Sequence, residues 1–325
     1  MKPRSLAVMG AVSLGVLGVG IAVRSFLPQR FDTSAGHDKD STLPAVSSLP
    51  AVDVTFLRCG YAEWPEYIMV RGAPSLAPRR ISYSAVLVRH PRATFLYDTG
   101  LCNDIPLILM DQSLFFRQTL ARFKFERSIS SHLQHLGLKP RDLSFALISH
   151  LHWDHVSGVL DLPGLPLRVN RVEFDAARLK LFNQHQSLVP RLIHDSPIEL
   201  FDMQGPSYAG FCSSLDLFGD GSIVLLPLPG HTAGNTGMLI RRSNGQHLFV
   251  VGDAAHLIEN YQRPATPHPL FYSRVTGNDA LARQTLVDLH RFSRFYPEIP
   301  LIPMHDARMQ EAFMIVEQAR ARAVY

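Results

Sequence analysis

The stretch Ser149–Gly158 reads SHLHWDHVSG and packs three histidines and one aspartate into the six residues from His150 to His155. His150 and His152 are spaced by two, so at the end of an extended run both imidazoles fall on one side of the chain. Asp154 and His155 follow where the chain turns, and point to a second, adjacent position. The run that leads in, LSFALISH, reads as a short buried strand. Crowding polar groups beside such a strand is costly unless they pair or bind metal. Histidine nitrogens and carboxylate oxygens are donors that zinc takes, and catalytic zinc keeps a position open to water. Four such donors in one short stretch can serve two neighbouring metal ions.

The same form recurs downstream. His231 ends LPLPGH, Asp253 ends LFVVGD and His305 ends LIPMH, each after an apolar β run. If those strand ends gather at one sheet edge, the chain supplies seven ligands: His150, His152, Asp154, His155, His231, Asp253 and His305. Other histidines, including His90, His132, His135, His247 and His290, have no such context and are read as structural or solvated.

Around this motif the chain alternates. VDVTFLRCG and ISYSAVLVRHPRATFLYDTG are strand-like, the second a hairpin turning at His90-Pro91-Arg92. ISSHLQHLGLKP is an amphipathic helix ending at Gly137, and ALARQTLVDLHRF is another helix. Ser243-Asn244-Gly245 is a hairpin turn between GMLIRR and HLFVVGD. Hairpins come first, then strands alternating with helices in two successive halves. That order suggests an α/β layered sandwich with its polar residues along one edge.

Composition bounds the rest. The 325 residues are 46% hydrophobic and 18% charged, ordinary for a globular chain. Four of the 32 basic residues, Lys2, Arg4, Arg24 and Arg30, precede the first acid; the remaining 28 balance the 28 acids, so the excess charge is no nucleic-acid surface. Between Arg4 and Arg24 the uncharged run Leu6–Val23 has the character of a signal peptide or a membrane anchor. The expected organisation is residues 1–30 as signal or anchor, 31–50 as a flexible linker and 51–325 as one catalytic domain. The expected location is outside the cytoplasm, in a bacterial periplasm, anchored to the inner membrane or released by cleavage. Cys59, Cys102 and Cys212 form no C-x-x-C pair, which gives no zinc–thiolate site and leaves one disulfide possible.

LYDTG (Leu96–Gly100), SHLHWDHVSG, PGHTAGNTG, VVGDAAH and PMHD, in that order, resemble the motifs of the metallo-β-lactamase-fold hydrolases. The resemblance spans nearly all of residues 51–325. It implies an α/β fold, an αββα four-layer sandwich with a dinuclear metal site at one sheet edge. It implies one metal on His150, His152 and His231, a second on Asp154, His155 and His305, and Asp253 bridging them. The metals would be two Zn2+ ions per chain, although such donors accept other divalent ions. Asp98 would steady the metal-binding loop, with Thr99 and Gly100 as turn formers.

The implied chemistry is hydrolysis of an ester-type bond by a hydroxide bridging the metals, with Asp154 passing a proton to the leaving group. The bridging aspartate argues against β-lactamases, His152 against flavodiiron oxidoreductases, and the balanced charge against nucleases. The short stretch after His305 argues against glyoxalase II thioesterases. The N-acyl homoserine lactonase-like branch matches best, so the expected substrate is a small molecule, a lactone such as an acyl homoserine lactone, and the role quorum quenching. IPLILMDQSLFF (Ile105–Phe116) is read either as one wall of an acyl pocket or as packing on the core or a membrane. Those lactonases often carry a tyrosine three residues after the bridging aspartate. Here His256 stands in that place and is the candidate substrate contact. Rival readings are a phosphoester, organophosphate or thioester hydrolase of the same fold, and a non-catalytic metal-binding, membrane-associated protein.

Overall fold

The computed structural model describes residues 25–34, 42–43, 48–119, 121–179, 188–311 and 313–314. The apolar run Leu6–Val23 and most of the expected linker lie outside the described residues. No helix among the described residues is long and apolar enough to cross a membrane.

Two sheets face each other. The first has strands β1 (Asp53–Pro65), β2 (Pro78–His90), β3 (Ala93–Tyr97), β4 (Lys124–Phe125), β5 (Ala146–Ile148), β6 (Leu167–Asn170) and β7 (Ile198–Phe201) in the order β4-β1-β2-β3-β5-β6-β7. The second has β8 (Leu215–Asp216), β9 (Ile223–Pro227), β10 (Thr236–Ile240), β11 (Leu248–Val250) and β12 (Leu301–Ile302) in the order β12-β11-β10-β9-β8. The expected hairpin is present: β2 and β3 pair antiparallel from Val86↔Tyr97 to His90↔Ala93. From β3 onward the first sheet is parallel. In the second sheet β11 and β12 pair in parallel and the rest antiparallel.

Strand residues alternate between cores. In β9, Ile223 and Leu225 face the layer between the sheets, while Val224 and Leu226 face the outer layer. In β3, Phe95 and Tyr97 face inward, and Leu96 faces the helices on the other side. A strand covered on both faces needs apolar residues at every position, which is why these segments read as continuous apolar runs and not as alternation. The helix Asp279–Phe295 buries Leu286, Leu289 and Phe292 on the second sheet; Asn278 caps it by accepting from Leu281 N. The helix Ile129–His135, capped by Ser128, covers the first sheet with Ile129 and Leu133. Helix, sheet, sheet and helix make the αββα sandwich.

This topology sets the edge. β3, β5, β9, β11 and β12 run in directions that deliver Asp98, His150, His231, Asp253 and His305 just beyond their C-terminal ends. The two sheets are tied together there. Thr236 N donates to Ser149 O at 2.9 Å and Tyr97 OH donates to Thr236 O at 2.6 Å. Cys59 and Cys102 are buried free thiols and Cys212 is an exposed one, so no disulfide forms.

Candidate metal centre

The seven expected ligands converge in two buried groups: His150, His152, His231 and Asp253; and Asp154, His155 and His305. His150 Nε2 and His231 Nε2 each lie 3.0 Å from His152 Nδ1. Asp253 stands between the groups. Its Oδ2 is 3.0 Å from His305 Nε2 and 3.4 Å from His231 Nε2, and its Oδ1 is 3.4 Å from His155 Nε2. Asp154 Oδ2 is 3.6 Å from His305 Nε2 and 3.8 Å from His155 Nε2.

The surrounding hydrogen bonds orient these rings. His155 Nδ1 donates to Asp98 Oδ2 at 2.7 Å and His305 Nδ1 donates to Ser82 O at 2.7 Å. Carboxylate and carbonyl oxygens only accept, so each ring places a proton on Nδ1 and turns Nε2 into the site. Ser149 Oγ donates to Asp98 Oδ2 at 2.8 Å and therefore accepts from His150 Nδ1 at 2.9 Å, which sets His150 the same way. Asp98 also accepts from Ser149 N at 2.7 Å. It holds three groups from a left-handed backbone with φ 57°, unusual for a residue with a side chain. The loop closes on the Asp-Thr-Gly turn: Thr99 N donates to His155 O, and Gly158 N to Gly100 O. A Cβ on Gly158 would lie 2.0 Å from Thr99 O, so the last glycine of the motif is required by close approach.

Two positioning residues carried no sequence signal. Glu173, buried in the helix Arg171–Arg178, accepts from Leu151 N through Oε1 and from Gly234 N through Oε2, both at 2.8 Å. One carboxylate thus ties the His150–His155 loop to the His231 loop. Burial pushes its carboxyl pKa up, the two amides opposing. Gly234 is needed for this contact, because a Cβ there would come within 2.4 Å of Glu173 N. Asn260 accepts from His256 N and Leu257 N and donates to Met69 O and Ala265 O. An acid in the first turn of a helix, or an asparagine in one, is ordinary in sequence.

His256 reaches the site. Its ring stacks on His305 with centroids 5.5 Å apart and 10° between planes, and its Nε2 is 3.9 Å from Asp253 Oδ2. Burial pushes its pKa down to about 4. Burial alone would raise the Asp253 carboxyl, but His305 and His155 beside it hold it well below the usual range.

The donor set fits metal ions. Two carboxylates, Asp154 and Asp253, are buried among five imidazoles, and the pocket wall contains no lysine or arginine. His155 Nε2 and Asp253 Oδ1 have no hydrogen-bond partner among the described residues. Carboxylates and imidazoles crowded this closely in a buried site are costly, and cations held by these donors would remove that cost.

A narrow pocket opens over the cluster. Its apolar wall is Trp64, Met69, Ile81, Tyr83, Phe271 and Val275, with His152, Asp154, His231, Asp253, His256 and His305 at its floor. The wall expected from Ile105–Phe116 is not there. Ile105, Leu109 and Phe116 turn into the core and Leu107, Met110, Leu114 and Phe115 are exposed. The segment folds as short helical turns, and its inward stripe packs on the outer face of the first sheet.

Comparison with known proteins agrees with this architecture. The family model of the metallo-beta-lactamase superfamily matches residues 79–291. A probable metallo-hydrolase of Mycobacterium tuberculosis is 28% identical over 241 residues, 68% of this chain and 73% of the relative. An N-acyl homoserine lactonase of Bacillus cereus is 26% identical over 149 residues, 45% of this chain and 52% of the relative. The chain thus spans about half the length of that lactonase. Among solved structures, an N-acyl homoserine lactone hydrolase with N-hexanoyl-L-homoserine bound at its catalytic metal centre superposes with a TM-score of 0.61 at 17% identity, covering 81% of this chain and 96% of that one. A dizinc quorum-quenching lactonase gives a TM-score of 0.51 at 18% identity, covering 82% and 92%.

Proposed function

The chain belongs to the metallo-beta-lactamase superfamily and is a metal-dependent hydrolase, and from that premise we propose that it opens lactones, acyl homoserine lactones in particular, at a dinuclear zinc centre. The observation that carries this reading is the full seven-residue donor set, split in two around Asp253, at the floor of an apolar-walled pocket. In this reading His150, His152 and His231 hold one ion, Asp154, His155 and His305 the other, and Asp253 lies between them. When bound, two such ions supply Lewis acidity that activates water and polarises a carbonyl.

The chain's own residues do the rest. Trp64, Met69, Phe271 and Val275 bury the acyl chain, exclude water and set the scissile carbonyl above the floor. His256, neutral near pH 7 because burial pushes its pKa down to about 4, offers its ring to a substrate oxygen by hydrogen bond. It takes the place that the lactonases give to a tyrosine. The Asp154 carboxylate accepts a proton from the attacking water and returns it to the leaving alkoxide. The location follows the same reading: an exported enzyme whose run Leu6–Val23 anchors it or is cleaved, followed by a linker over 31–50 and the hydrolase domain over 51–325.

Ring opening of a lactone releases a proton, which an indicator dye follows. Full-length protein loaded with zinc and given a long-chain acyl homoserine lactone is expected to release protons quickly, and the H152A variant is not. Two bound metals with no proton release would discard the lactone while keeping the hydrolase, and would direct the assay to phosphoesters, organophosphates and thioesters.

A further inference from the structure

The segment beside the pocket exposes four large apolar side chains on its outer side, with Asp111 and Ser113 between them. In Ile105–Phe116 the buried stripe of Ile105, Leu109 and Phe116 is what a surface helical segment needs. The opposite stripe of such a segment is ordinarily polar. Here Leu107, Met110, Leu114 and Phe115 stand 65%, 60%, 62% and 51% exposed. A second exposed pair, Phe26 and Leu27, lies at the start of the described chain.

The helix Pro269–Val275 joins the two groups. His268, just before it, packs its ring 4.6 Å from that of Phe26, and accepts or donates a hydrogen bond with Ser25 Oγ at 2.9 Å. Phe271 within the helix lines the pocket. The Arg274 guanidinium lies 5.6 Å from the centre of the Phe115 ring. Seven helical residues span about 10 Å, so the two apolar groups flank a single mouth. Beside Leu27 an open cleft is lined by Arg30, Arg71 and Arg263, with no acidic residue in its wall.

We infer that this face docks on an anionic lipid bilayer, with the pocket mouth turned toward the membrane. Three observations select a bilayer as the occupant. Four of the segment's outward side chains are large and apolar, and one of them, Phe115, lies against Arg274 of the helix whose Phe271 lines the pocket. The cleft next to them offers arginines, which match lipid phosphates. The uncharged run Leu6–Val23 ends at Arg24, so the part of the sequence suited to a membrane joins the domain at Ser25, against His268 at this same mouth. A substrate whose acyl chain dissolves in the bilayer then reaches Phe271 without crossing bulk water.

The test uses the full-length chain in vesicles of phosphatidylcholine and phosphatidylglycerol that carry chain-brominated lipid. Phe115→Trp reports the mouth. Asn244→Trp, in the exposed β10–β11 turn at the far end of the strands, reports the opposite end. Trp64 and Trp153 give both variants the same background. The inference expects F115W emission to fall at least twofold with brominated lipid, N244W emission to stay constant, and the F115W effect to weaken when phosphatidylglycerol is omitted or Arg263 is changed to Gln. Equal quenching of the two variants, or none in either while the chain remains on the vesicles, overturns it and leaves the face to a protein partner. No substrate enters the readout, so failure of the lactone reading leaves this result standing, and the reverse.

Discussion

The His150–His155 loop and the Ile105–Gln118 segment flank the same pocket and are built on opposite terms. In the loop the backbone and rings are held from outside: Asp98 accepts from Ser149 N and His155 Nδ1, Glu173 accepts from Leu151 N, and Gly158 lets the Asp98–Gly100 turn close on it. In the segment four large apolar side chains, Leu107, Met110, Leu114 and Phe115, stand exposed among Asp111, Ser113, Arg117 and Gln118. A site that must present lone pairs at fixed spacing needs over-determination, because a small misplacement weakens every ligand at once. A surface that meets lipid needs only apolar area and tolerates imprecision. The difference teaches where substitutions ought to matter, and how.

The sharpest break is at the ligands. His152→Ala is expected to cut hydrolysis by about a thousandfold or more, since metal Lewis acidity contributes several kcal/mol to the barrier; steady-state rates on metal-loaded enzyme check it. In the proposed mechanism Asp154→Asn removes the proton carrier as well as a ligand charge, and a loss of about a hundredfold in kcat is expected even with metal present. Full activity in that variant would remove Asp154 from the proton path.

Glu173→Gln comes next. The two oxygens accept from Leu151 N and Gly234 N, and an amide can satisfy only one of them while its NH2 faces the other donor. Metal affinity is expected to fall about 10- to 100-fold, measured by competition with a chelating dye, with the fold retained by circular dichroism. Unchanged affinity would reduce Glu173 to a fold residue. The smallest effect belongs to the outer segment. Leu114→Asp is expected to alter unfolding free energy by no more than about 0.5 kcal/mol and to leave the rate on a soluble short-chain ester unchanged. A large loss of stability there would mean that this stripe is core.

Much of this contrast was legible in the sequence, and the reason is chemical. The loop declares itself because histidines and aspartates at strand ends are rare enough to count, and the layered fold follows from apolar runs that end in them. Asp98 was legible only through the Asp-Thr-Gly turn. Glu173 and Asn260 were not, because their role lies in which distant amides they meet, and a single acid or amide in a helix carries no mark of that. The strands β6 and β7 at one end of the first sheet, four residues each, are too short to show a period. Composition leaves Ile105–Phe116 open between a pocket wall and packing on the core or a membrane, and its inward stripe takes the core. Ile105–Phe116 has the composition of a wall, but Trp64 and Met69 at one end of the chain and Phe271 and Val275 near the other make it. Apolar composition tells that a segment is buried or meets something apolar, and tertiary context decides which.

The central claim is that these seven side chains hold two metal ions together. Stripped, full-length protein titrated with zinc, with bound metal counted by mass spectrometry, tests it most directly. The account predicts two equivalents per chain, falling to one or fewer when Asp253 is replaced by Ala. Saturation at one equivalent or none in the unaltered chain would contradict it.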